Sequence, residues 1–113
     1  MTVDLNAKAT AAISVLQKYI NQLSQVKRQN GANVDSIVSQ IENLQQQQDD
    51  LRTLALEEVE NSAENAAALA AVDTAASNLN KEAAVVVTVA NALTQVQKVI
   101  DCVATLVTTL QKF

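Results

Sequence analysis

The sequence predicts an all-α fold: an elongated antiparallel bundle of three long helices, or four if the last one breaks near 77–80, with coiled-coil-like packing. Three observations predict it. Proline is absent and Gly31 is the only glycine, so the usual turn formers are missing and the elements must be few and long. Apolar residues recur at alternating spacings of three and four from Leu5 to Leu110, which is the period of one helical face. The abundant alanine, leucine, glutamine and lysine favour helix, whereas each valine opposes it by only a few tenths of a kcal/mol. With 113 residues the chain reads as a single helical-bundle domain, 1–113, well over three quarters helical and without β-sheet.

The first helix, about 4–29, carries Leu5, Ala9, Ala12, Leu16, Tyr19, Leu23 and Val26 on one stripe. Asp4 suits its N-cap, Lys27 and Arg28 complement the dipole of its last turn, and Asn30-Gly31 stops it. The second helix, about 34–60, is capped by Asn33 with Asp35 in its first turn, and its stripe runs Val34, Ile37, Ile41, Leu44, Leu51 and Ala55. A connection of about three residues makes the two an antiparallel hairpin.

A third helix is expected over 62–112, opened by a capping box at Asn61-Ser62-Ala63-Glu64. Ser77-Asn78-Leu79-Asn80 is the place where it could break. This segment has two apolar stripes. Leu79, Ala83, Val86, Ala90, Leu93, Ile100 and Val107 form one, with Leu93 and Ile100 expected in the core; Val85, Val89, Ala92, Val96, Val99, Val103, Leu106 and Leu110 form the other. Unbroken, the third helix would run roughly 75 Å at 1.5 Å per residue, and the first two, at roughly 40 Å each, could not cover it. A second copy is the simplest cover, so a homo-oligomer is expected, a two-fold dimer first, with Val85, Val89, Val96, Val99, Val103 and Leu106 at the interface.

The chemistry that the sequence omits narrows its function. Without histidine the commonest general base and metal ligand are gone, and one glycine cannot build a phosphate loop. A lone Cys102 allows neither an intramolecular disulfide nor a Cys-based zinc site, and Cys102 reads as a small buried hydrophobe beside Val99 and Val103. No catalytic, cofactor or metal residue can be nominated, and the chain is expected not to be an enzyme. A net charge of −4 and a pI near 4.6 argue against nucleic acid as a partner. The longest nearly apolar run, 83–93, spans roughly 16 Å as a helix, about half a bilayer core, so no transmembrane segment is expected. The first residues lack the pattern of a signal peptide, and the expected location is cytoplasmic.

Asp49, Asp50, Glu57, Glu58, Glu60 and Glu64 are offset in sequence only by Arg52. Helical spacing would align Glu57, Glu60 and Glu64 on one face, which reads as a solvated surface before it reads as a cation site or a dock for a basic partner. Gln45 to Gln48 form a polar helix surface, except that Gln48 falls on the apolar seam, where it could fix register. Secreted helical hairpins of similar length carry a Trp-x-Gly turn, but Asn30-Gly31 has no tryptophan, and no family is assigned. The leading expectation is a non-enzymatic structural or interaction protein that self-associates, its protein partner otherwise unknown. An exported or membrane-active amphipathic component using the valine-rich 83–93 segment, and a carrier of a small apolar ligand, are the alternatives.

Overall fold

The first helix, α1 (Leu5–Val26), begins where the apolar stripe begins. In the computed structural model, which describes residues 2–113, the Asp4 carboxylate fixes that start by accepting a hydrogen bond from the Ala7 amide at 3.1 Å. Leu5, Ala9, Ala12, Leu16, Tyr19, Leu23 and Val26 are all buried, as their spacing predicts. Lys27 and Arg28 lie just beyond the last turn, and the chain reverses through Gly31 at φ +86°, a left-handed conformation that a side chain would strain. The next helix, α2 (Val34–Thr53), has Asn33 at its cap position, without a side-chain cap bond, and Asp35 in its first turn. The hairpin is as expected, with a longer loop, 27–33.

The second helix ends seven residues before the expected 60. Leu54 turns extended, at ψ 127°, and the following chain carries a short strand, β2 (Glu58–Glu60), antiparallel to β1 (Thr2–Asp4). Thr2 faces Glu60, Val3 faces Val59 and Asp4 faces Glu58. The expectation of no sheet is therefore corrected, and Glu57, Glu60 and Glu64 do not share a helical face. The packing supplies the reason. The α1 helix packs on α2 and on α3 (Ala66–Ala83), α4 (Ala92–Leu110) packs on α3 and α2, and α1 also touches α4 across the core. That leaves α2 diagonal to α3, so the chain must cross the end of the bundle between them, and a straight helix cannot turn that corner. The Asn61 capping box does not form either: Asn65 takes the cap position, and its side-chain amide donates to the Glu60 carbonyl.

The expected break at 77–80 lies inside an unbroken α3, and the chain turns instead at 84–91. Val85-Val86-Val87-Thr88-Val89 explains the shift, because five consecutive β-branched residues each lose χ1 freedom in a helix and together disfavour it by about 2–3 kcal/mol. Asn91 then holds the turn, accepting from the Thr88 amide at 2.7 Å and donating to the Val86 carbonyl at 3.0 Å.

The result is an all-α bundle of four helices, 71 % helical rather than above three quarters, measuring 52 × 22 × 17 Å. Folding back at 84–91 gives four helices of 18 to 22 residues, so the length mismatch of an unbroken third helix disappears. Along α4 it also exchanges the two stripes, while Leu79 and Ala83 of the first stripe stay buried on α3. Ala92, Val96, Val99, Val103, Leu106 and Leu110 are buried in the chain's own core, Ile100 and Val107 are half-buried against it, and Leu93 is 38 % exposed. The continuous valine and leucine seam is the more apolar face, and α4, with neighbours on several sides, turns that face inward.

Candidate functional site

Inside the bundle, polar side chains serve to join helices. Gln48 is buried, and its amide donates to the Ile13 carbonyl at 3.2 Å and to Gln17 Oε1 at 3.3 Å, tying α2 to α1. Gln47, one residue earlier and so on a different face, donates to the Ile100 carbonyl at 3.0 Å and ties α2 to α4. Gln95, also buried, donates to both the backbone carbonyl and the carboxylate of Glu82, joining α4 to the end of α3. Lys8 reaches Asp73 on α3 at 2.6 Å.

The groups with most chemical potential are held quiet. The Tyr19 hydroxyl is buried without a hydrogen-bond partner, and burial, assisted by the charge of Glu82, pushes its pKa up to about 12. Burial also pushes the Cys102 thiol up, with smaller contributions from Glu82 and Asp101. The thiol lines a shallow crevice with Ala75, Asn78 and Thr105 and is half-buried rather than fully enclosed. Both groups are neutral near pH 7, the unreactive form of each. Among the described residues, no three acidic or cysteine side chains converge as metal ligands. No described helix is long and apolar enough to cross a membrane.

The surface is more informative at its two ends. The loops 27–33 and 84–91 share one end, where Gln22, Gln25, Val26 and Gln29 meet Ala84, Val86 and Val87 around a crevice. Val86 is 75 % exposed there, and Val34, Val85 and Leu93 are also exposed. Lys27, Arg28 and Lys81 stand beside them with Asp35 and Glu82. At the opposite end the 54–65 connection, the start of α1 and the last residues enclose an open cleft of about 470 Å³. Leu54, Leu56, Val59, Leu110 and Phe113 line it, and Glu57 and Glu58 stand at its edge. Asp4, Asp49, Asp50, Glu60 and Glu64 belong to the same end, which holds seven carboxylates against Arg52, Lys112 and Lys8, the last paired with Asp73.

The six residues expected at an interface are thereby separated. Val96, Val99, Val103 and Leu106 are inside the core, whereas Val85 and Val89 lie in the 84–91 loop, Val85 exposed and Val89 half-buried. The cleft at the acidic end has no counterpart among the sequence-based candidates, because much of its wall, Leu54 to Val59, comes from residues that helical periodicity carries on past Thr53. The acidic run is visible in the sequence; that it borders a hollow depends on the chain crossing the bundle end. Comparison of the chain with known protein families, with curated proteins and with solved structures gives no match.

Proposed function

We propose that the chain is a non-enzymatic interaction protein, a helical bundle that self-associates. One observation carries this reading: the large apolar side chains that remain exposed, Val34, Val85, Val86, Leu93 and Phe113, all lie at the two ends of the bundle. Apolar side chains scattered singly over a surface are ordinary, whereas their collection in patches marks places where another surface binds. The buried glutamines, neutral Tyr19 and protonated Cys102 support structural rather than catalytic roles.

Sedimentation velocity over a wide concentration range tests the reading. A mass rising above 12.0 kDa with concentration is expected; a constant monomer mass up to millimolar protein would refute it. A second reading, binding to a membrane surface, is favoured by Val85 and Val86 standing beside Lys27, Arg28 and Lys81. Co-sedimentation with anionic vesicles that Val86→Asp abolishes would support it. The carrier reading has weaker support, since the 470 Å³ cleft is open to solvent and edged by Glu57 and Glu58.

A further inference from the structure

We propose that the self-association is head to tail: the valine tip of one copy, residues 84–89, seats in the acidic-end cleft of the next. The proposal rests on the self-association just argued and adds its geometry. Three features of the structure favour a second copy as the occupant of the cleft.

First, the shapes are of opposite kind. The tip presents exposed Val85 and Val86 on a turn pinned by Asn91, and the opposite end is a hollow walled by Leu54, Leu56, Val59, Leu110 and Phe113 with Glu57, Glu58 and Gln111. Exposed valines and a hollow with leucine, valine and phenylalanine in its walls and carboxylates at its edge satisfy one another, whereas tip against tip would leave both hollows open. Second, the charges are complementary. Lys27, Arg28 and Lys81 outnumber Asp35 and Glu82 at the tip, while the cleft end carries a large excess of carboxylates, including Glu57 and Glu58 at the rim. Two tips would repel weakly and two cleft ends strongly, but tip and cleft attract. Third, the two features lie at opposite ends of the 52 Å long axis, so occupying one leaves the other free. A contact of that kind is heterologous, and unless its rotation closes a ring it extends into a filament.

The experiment uses two surface variants of the full chain. Val86→Asp places a charge on the tip, and Phe113→Asp places one in the cleft; both positions are exposed, so the circular dichroism of each variant should match the parent. Glu57→Lys, at the exposed rim, is a second cleft variant should Phe113→Asp perturb folding. The parent should form species of increasing mass that shrink at high salt, since exposed charges are screened. Each variant alone should remain monomeric. An equimolar mixture of the tip and cleft variants should form a dimer and nothing larger, about twice 12.0 kDa, because one intact tip and one intact cleft remain per pair. Association unchanged in both variants would overturn the head-to-tail geometry and leave self-association standing on another face. Loss of association in the variants without recovery on mixing would also overturn it, pointing to like-with-like contacts. A monomeric parent that binds anionic vesicles through Val86 would overturn both readings in favour of the membrane.

Discussion

Tyr19 shows how a single buried atom can cost stability. Its ring fills the core at 1 % exposure, yet its hydroxyl has no partner, and a buried hydroxyl without a hydrogen bond carries an uncompensated desolvation penalty of about 1–3 kcal/mol. Tyr19→Phe should therefore leave stability at pH 7 unchanged or raise it by about 1 kcal/mol, read from urea unfolding. The same residue fixes a pH response. Its pKa is raised to about 12 in the folded state against 10.0 when exposed, so the unfolded chain ionises first. The corresponding stability is present below pH 10 and is lost as pH rises from 10 through 12, by a total of about 3 kcal/mol. As the sole tyrosine, its phenolate absorbance reports this titration directly, and a midpoint near 10 in the folded protein would show the ring to be solvated. Gln48 is the opposite case, a buried polar group with its partners in place. Gln48→Ala should cost about 1–3 kcal/mol, whereas Gln45→Ala, on the exposed side of the same run, should cost close to nothing. Equal shifts in melting temperature would contradict the inter-helix role of Gln48.

The last helix tests the assignment of faces. Leu106 is fully buried and Leu93 is not, so Leu106→Ala should cost about 2–5 kcal/mol and Leu93→Ala below about 1 kcal/mol, measured by chemical denaturation. The sequence alone had placed Leu93 in the core and Leu106 at an interface. That reversal shows which information periodicity contains. It located the start of α1 to within a residue and its end to within three, because Asp4, the seven-residue stripe and Gly31 all agree. It located both stripes of α4 but could not rank them, because the direction of burial depends on where the preceding chain turns. That turn arises because Val85 to Val89 act together over consecutive positions, although each β-branched residue alone is only a small penalty. The α2 terminus was hidden for another reason. Leu51 and Ala55 fit a helical spacing, and only the diagonal placement of α3 makes the chain leave that path at Leu54 and pair Glu58–Glu60 with Thr2–Asp4. The acidic run was readable as residues; the cleft it borders was not, since that cleft exists only after the crossing is made.

At the scale of the whole molecule, the two antiparallel hairpins, α1 with α2 and α3 with α4, share one core and should not fold separately. Leu5, Leu16 and Leu23 of the first hairpin and Val99, Val103 and Leu106 of the second belong to the same buried cluster. The joining contacts are polar as well as apolar: Gln47 bonds the Ile100 carbonyl across the divide, and Lys8 pairs with Asp73. A chain of about 50–60 residues is marginal by size even with a core of its own, and a two-helix hairpin cut from a shared core loses the other half of what buries its apolar stripe. Cleavage within 61–65 divides the hairpins while keeping the β1–β2 pair with the first of them. Fragments 2–60 and 61–113 should each show little helix by circular dichroism, and mixing them should restore most of the helicity of the intact chain with a concentration-dependent melting temperature. The first fragment is the more demanding case, since it retains the Asp4 cap, the Gly31 turn and the two-stranded sheet. If it alone melted cooperatively at the temperature of the full chain, the second hairpin would contribute nothing to its stability, and the shared core would not be the source of the fold.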